Sequence, residues 1–247
     1  MCIIGVGMKI NKDFPFIFAA NRDEFVERPA APAHWWNEET FFAGKDLQAG
    51  GTWMGISRSG RVAAVTNVRN PDESGDFPYS RGELVPAWLN ERNLNLYLQE
   101  KAYYAGFNLI YGTTSELKYV TNQHDREYTL REGIFSLSNA DMDEEWPKTK
   151  HLRQDIKRAA LLPKEEMIAA LISGLERKIP YPDNELPDTG VGIELERKLS
   201  SPFIDLDKYG TRCTTVVLVD KNNEVTFVEK THRPEKYEVR KEFRLKK

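Results

Sequence analysis

The chain opens with two apolar, β-favouring runs, Cys2 to Val6 and Phe14 to Ala20, separated by the turn-like Asn11-Lys12-Asp13. That pattern predicts a buried hairpin. Thr52 to Ser57 and Arg61 to Val68 repeat it around Arg58-Ser59-Gly60, where Gly60 supplies the left-handed geometry of a tight turn. Further strands are predicted over Gly106 to Tyr111, Leu117 to Thr121 and Tyr128 to Ser138, and Arg212 to Asp220 pairs with Glu224 to Thr231 through Lys221-Asn222-Asn223. Helical spacing occupies the middle of the chain. Ser80 and Glu83 read as a capping box for a helix over Arg81 to Glu91, followed by Leu94 to Tyr104. A second helical pair, Lys148 to Leu161 and Lys164 to Arg177, breaks at Pro163 and carries Leu152, Ile156, Met167, Leu171 and Ile172 at three-to-four spacing.

Runs of strands separated by paired helices, instead of strict βαβ alternation, predict an α+β protein of antiparallel sheets flanked by helices. The long irregular stretch Ile179 to Asp207, rich in Pro, Asp and Gly, is of the kind that lines a site. A length of 247 residues is compatible with one domain over 1–247. No run reaches the roughly 18 to 20 apolar residues that a membrane span needs, so the expectation is a cytoplasmic protein without stable membrane insertion. The net charge of −3 offers no field for nucleic acid and favours a small-molecule partner. Arg240, Lys241, Arg244, Lys246 and Lys247 are interleaved with Glu238 and Glu242 and read as a solvated tail.

Two cysteines make no disulfide framework, and both read as free thiols. Taken alone, Cys2 is a small apolar side chain starting a buried strand. A small residue after Met also permits removal of Met1, which leaves an α-amine beside a thiol. Nucleophile and base then share one residue, since an amine with an ordinary pKa of about 8 can accept the thiol proton near neutral pH. The polar cluster Asn21-Arg22-Asp23-Glu24 follows the second run, and an antiparallel hairpin returns it to the vicinity of Cys2.

Other chemistry is weakly supported. Gly5-Val6-Gly7 lacks the later glycine of a dinucleotide fingerprint. His34, His124, His151 and His232 are dispersed, so no metal site is expected. Trp35, Trp36 and Trp53 suit core packing or an apolar pocket wall, and Cys213 reads as an inert core thiol.

The segments MCIIG, AANRDEF, AGGTWMGIS, VTNVR, SRGELV, GFNLI, LSNA, LPDTGVGIELERKLS and YGTRCTTVVLVD together resemble the Asn-Arg-Asp-Glu family, also called the transport and Golgi organization 2 family. That family is placed among the N-terminal-nucleophile (Ntn) hydrolases, beside penicillin V acylase and bile salt hydrolase. The resemblance spans nearly the whole chain. It implies a four-layer αββα sandwich and a cysteine amidohydrolase acting on a linear amide or other acyl bond, a C–N bond other than a peptide bond. The implied catalytic residues are Cys2 as nucleophile, Asp23 near its α-amine, Asn67 and Asn139 for the oxyanion, and Arg212 near the thiol. Asn21, Arg22, Arg69 and Arg81 are candidates to contact substrate. One departure stands out: in the acylases an arginine precedes the shared asparagine, whereas here Ala20 precedes Asn21 and the arginine follows as Arg22, on the other strand face. The resemblance implies no cofactor. It also admits a second reading, a non-catalytic carrier using the same pocket for an acyl-CoA, a lipid-like ligand or haem.

Overall fold

The computed structural model describes residues 2–36 and 40–246, so the expectation that Met1 is removed concerns a residue outside the described ones. The opening hairpin pairs β1 (Cys2–Met8) with β2 (Phe16–Phe25). Three strands follow it, β3 (Ala30–Trp36), β4 (Phe41–Asp46) and β5 (Met54–Ser57), and β6 (Arg61–Asn67) closes the second predicted hairpin. A 3₁₀ turn over Arg81–Glu83 leads into α1 (Leu84–Leu89), and α2 (Leu94–Gln99) precedes another over Lys101–Tyr103. The predicted helices here are thus shorter than their spacing suggested. The Ser80 side chain makes no capping hydrogen bond, which leaves the first turn in 3₁₀ geometry.

The chain continues through β7 (Phe107–Thr113), β8 (Glu116–Thr121), β9 (Tyr128–Leu130) and β10 (Gly133–Leu137). Helices α3 (Pro147–Ala159), α4 (Lys164–Leu175) and α5 (Ile193–Ser200) come next, then β11 (Tyr209–Val219), β12 (Glu224–Thr231) and β13 (Tyr237–Arg244). The run expected as one strand from Tyr128 to Ser138 is two. Gly133, at φ 123°, breaks it, so that β9 pairs with β8 while β10 crosses to pair with β1 in the other sheet. The basic C-terminal segment is likewise a strand and not a solvated tail. Phe243 is buried at its inner face, and Arg240 pairs with Glu165 and Glu242 outside. Charges along this edge oppose further strand addition. Lys247 lies outside the described residues.

The strands form two antiparallel sheets, one in the order β10-β1-β2-β11-β12-β13 and the other β3-β4-β5-β6-β7-β8-β9. Alternation then assigns each face. Ile4, Phe18, Val217 and Phe227 of the first sheet meet Phe42, Ile56, Val62 and Tyr119 of the second in one central core. Ile3, Ile17 and Val216 point the other way, onto Leu152 and Ile156 of α3 and Leu171 of α4. On the far side, Ala63, Val65 and Leu109 pack beneath Leu84 and Leu89. The layers are therefore αββα. Among the described residues, no helix is long and apolar enough to cross a membrane.

Candidate active site

Antiparallel register sets the site. Cys2 lies directly opposite Arg22, and Arg22 is in turn opposite Cys213 on β11, so thiol, guanidinium and thiol form a row across three strands on the face toward the second sheet. Two strand spacings hold the cysteine backbones about 10 Å apart, and both thiols are free. Arg22 is 5% exposed and stacks 4.6 Å from the Trp53 ring centroid. One of its terminal nitrogens, Nη2, donates to Asp46 at 3.1 Å; Asp46 also accepts from Arg28 at 2.6 Å. Burial opposes ionisation of Asp46, but the Arg28 hydrogen bond, the Ala49 N–H and the charges of Arg28 and Arg22 together outweigh it and hold the carboxyl below its ordinary value.

Cys2, Arg22, Asp23, Trp53, Asn67 and Arg81 border one cavity of about 130 Å³ at the end of the inter-sheet space. Burial raises the Cys2 thiol above its ordinary pKa. The positive charge of the chain's amino terminus opposes this, as do a hydrogen bond from the Asp23 backbone N–H and the charge of Arg22. The sulfur is therefore a thiol that needs a base. Arg81 donates to the Gly106 carbonyl at 2.9 Å; burial lowers its pKa, against the opposing pull of Glu73 and Cys2.

Asn67 ends β6 in the second sheet and borders the same cavity as Cys2. Its side chain is fixed from behind. Asn139 Nδ2 donates to both the Oδ1 and the backbone carbonyl of Asn67, at 2.9 and 3.1 Å. Those two bonds use both hydrogens of the Asn139 amide, and Asn139 itself is fully buried. Ser138 Oγ lies 2.8 Å from the Cys2 carbonyl and 3.0 Å from Asn139 Oδ1, and its single hydrogen is shared between these two acceptors. One short chain of bonds thus ties the first residue of β1 to the last of β6. With its Oδ1 engaged, the Asn67 amide presents its Nδ2 hydrogens, one of them in a long 3.4 Å contact with the Val68 carbonyl.

Of the remaining sequence candidates, Asn21, Arg69 and Arg212 lie off this cavity, whereas Asp23 borders it and its backbone N–H reaches Cys2. Asn21 and Asp23 point to the helix side of the first sheet, since they alternate with Arg22. Asn21 donates to the Leu175 and Pro202 carbonyls and accepts from Thr214, which pins α4 to the sheet. Asp23 accepts from Thr211 Oγ1 at 2.7 Å; burial raises its pKa, while the amino terminus and Lys148 pull it down. Arg69 pairs with Glu196 of α5 at 2.5 Å and stacks 4.8 Å from Trp146. Arg212 occupies a bulge where the β2 to β11 register slips, and its guanidinium donates to the carbonyls of Phe25, Arg28 and Arg233. It borders a second cavity and not that of Cys2.

Sequence reasoning overlooked Lys148 and Tyr209. Lys148 is 2% exposed and donates to the Leu199 carbonyl; burial and then Arg69 push its pKa down to about 8, while Asp23, Glu196 and Cys2 pull it up. Its position was readable, because Lys148 precedes Leu152 and Ile156 by four and eight residues and so shares the buried face of α3. Tyr209 donates to the Asp23 carbonyl at 3.1 Å. Nothing local in Tyr209-Gly210-Thr211 announces that contact.

The chain matches the family model described as Transport and Golgi organisation 2 over residues 1–234. It is 34% identical over 240 residues to the Transport and Golgi organization 2 homolog of Mus musculus, with 88% of this chain and 87% of that protein covered. The Homo sapiens homolog is 34% identical over 244 residues with the same coverage, and the Drosophila melanogaster protein is 28% identical over 267 residues, covering 94% and 92%. Among solved structures, the chain resembles the Caenorhabditis elegans ortholog of N-acylethanolamine-hydrolyzing acid amidase. The TM-score is 0.46 at 11% identity, with 88% of this chain and 92% of that one covered. It also resembles the C2A mutant of conjugated bile acid hydrolase from Clostridium perfringens, with a TM-score of 0.44 at 10% identity and 97% and 92% covered. Likenesses this distant carry no weight for activity.

Proposed function

The chain belongs to the Transport and Golgi organisation 2 family, and from the geometry around Cys2 we propose that it is an N-terminal-nucleophile hydrolase of a small linear amide or related acyl compound. The observation that carries this reading is the pairing of a thiol at the cavity wall with an asparagine amide held in place by a second, fully buried asparagine. The buried thiol is not ionised by its surroundings, so the chemistry needs a base within reach. Removal of Met1 supplies one as the α-amine of Cys2.

In this mechanism the amine takes the thiol proton as sulfur bonds to the acyl carbon, and the carbonyl π pair moves to oxygen. Asn67 Nδ2 donates to that oxyanion, and Arg22 and Arg81 add positive potential at the cavity wall. Collapse re-forms the carbonyl and breaks the C–N bond, and the ammonium passes its proton to the leaving nitrogen. Water then attacks the thioester, gives a proton to the amine and releases the acid, and the thiol recovers its proton. Asp23, whose backbone N–H bonds Cys2, is placed to balance the charge of the amine freed there, and Lys148 limits the cost of the buried carboxylate. Asn139 acts through Asn67 as a positioning residue.

The test is intact-mass analysis of the purified protein before and after p-nitrophenyl butyrate. The expected result is loss of Met1 and one butyryl adduct on Cys2, slow to form in Asn67→Ala and absent when the N-terminus carries an extension. Labelling of Cys213 at the same rate, or acylation of a chain that keeps Met1, overturns the reading.

A further inference from the structure

Arg22 and Trp53 form the wall between two cavities. On the Cys213 side lies the larger, about 630 Å³, within the range of small-molecule sites. Its apolar walls come from Ala31, Pro32 and Ala33 of β3 on one side and Pro234, Tyr237 and Val239 on the other. Its floor is polar. Arg22, Arg212 and Glu229 are 5%, 5% and 1% exposed, and all three border the space. Two of their atoms, Arg22 Nη1 and Glu229 Oε2, are buried with no hydrogen-bond partner among the described residues. A buried donor and a buried oxygen left unpaired each cost stability, so a ligand that satisfies both gains that energy on binding.

We propose that this cavity is a binding site for an organic monocarboxylate with a compact apolar body. Its carboxylate accepts from Arg22 Nη1 and, through the other oxygen, from the protonated Oε2 of Glu229; its apolar body lies between Pro32 and Tyr237. Charge selects an anion over a cation, because a ligand ammonium would meet two buried guanidiniums, Arg22 and Arg212. Arg233 is already paired with Asp205 and donates to the Leu206 carbonyl, which leaves Arg22 and Arg212 as the deep cations of the site. The Glu229 oxygen that is satisfied accepts from the Ala33 N–H at 2.7 Å, which aligns the carboxyl across the sheet gap. Burial, against the pull of that N–H, of Arg22 and, more weakly, of the Cys213 and Thr215 side chains hydrogen-bonded to the carboxyl, pushes the Glu229 pKa up to about 7, so the acid form is available near neutrality. This site is independent of whether Cys2 reacts.

Isosteric probes test it: 4-phenylbutyrate, 4-phenylbutyramide and 4-phenylbutylamine, titrated calorimetrically into the full chain. The carboxylate is expected to bind at least about tenfold more tightly than the amide or amine, the difference a buried charged hydrogen bond makes. His34, Arg22, Arg212, Cys213, Arg233, Glu235, Lys236 and Tyr237 also face the cavity, and the carboxylate affinity is expected to fall as pH rises from about 6 to about 8 because ionised Glu229 repels it. Glu229→Gln should keep binding and lose that pH dependence, and Ala31→Trp should abolish binding by filling the cavity. Equal affinity for carboxylate and amide overturns the proposal on the unmodified protein. Binding unchanged in a folded Ala31→Trp variant overturns it as well, by locating the ligand elsewhere. If Ala31→Trp does not fold, a pH profile that persists in Glu229→Gln does the same.

Discussion

Asn67 and Asn139 stand 72 positions apart in sequence, one ending β6 and the other in the loop just past β10, yet share one hydrogen-bonded unit. The resemblance gave both the same role, but the arrangement divides them. Asn67 faces the cavity, and Asn139 spends its amide holding Asn67 in place. Asn67→Ala is expected to slow acylation of Cys2 by about 100- to 1000-fold and to cost about 1 kcal/mol of stability, because it removes one of the two acceptors of the buried Asn139 amide. Asn139→Ala should lose a similar factor and about 1–3 kcal/mol of stability, because it leaves buried groups unpaired. Acylation rates and urea midpoints measure the two effects separately. The double variant is expected to be no slower than Asn67→Ala alone, as befits residues acting as one unit; full additivity would make Asn139 an independent contributor. Arg212 was equally visible as a polar residue near a strand start, but its bulge, which swings it onto three carbonyls, has no local sequence mark.

At the scale of elements, the regular strands were legible and the short or irregular ones were not. The three predicted hairpins match because apolar β-favouring runs and a turn segment agree at each. Strands β3 and β4 escaped notice: Ala30–Trp36 contains Pro32, and a register shift between Ala31 and His34 breaks its alternation. Helix α5 was hidden in the stretch Ile179 to Asp207: its Glu, Leu, Arg and Lys residues favour helix, but eight residues flanked by Pro and Gly are too few to be stable alone, and docking supplies the stability. The dock is Glu196, which is 2% exposed and accepts from Arg69 and from both the N–H and hydroxyl of Thr189. Glu196→Ala should therefore cost about 3–5 kcal/mol by removing the carboxylate that pairs with a buried guanidinium, and Arg69→Met combined with Glu196→Leu should recover most of it. Chemical denaturation of the three proteins checks this; a Glu196→Ala midpoint equal to wild type would mean that the helix is held by something else.

Across the whole molecule, two buried groups on β11–β12 and the loop after it oppose each other as pH changes. Burial, countered by the Ala33 N–H and Arg22, raises the folded-state Glu229 pKa to about 7 from 4.5, so its contribution is present below about pH 4.5 and lost as pH rises through 7. His232 is lowered to about 4 from 6.5, chiefly by burial and against the attraction of Glu176, so its contribution is present above about pH 6.5 and lost as pH falls through 4. Between these limits they offset. Glu229→Gln removes the first, so on moving from about pH 7.5 to about pH 5 the variant should lose up to roughly 3 kcal/mol relative to wild type. Parallel stability profiles from thermal or urea unfolding would contradict this assignment. By itself the sequence determined the antiparallel hairpins, the apolar faces and the chemistry available at Cys2, because period-two alternation and turn residues act over a few positions. Even Glu229 was readable as a charge at a core-facing position, two residues after Phe227. Only the tertiary structure decided that Arg22 divides two cavities, that Asn139 serves Asn67 and that Lys148 is buried within electrostatic reach of Asp23. Those contacts join residues from different sheets and layers, and their geometry follows from how the sheets stack, which no local pattern encodes.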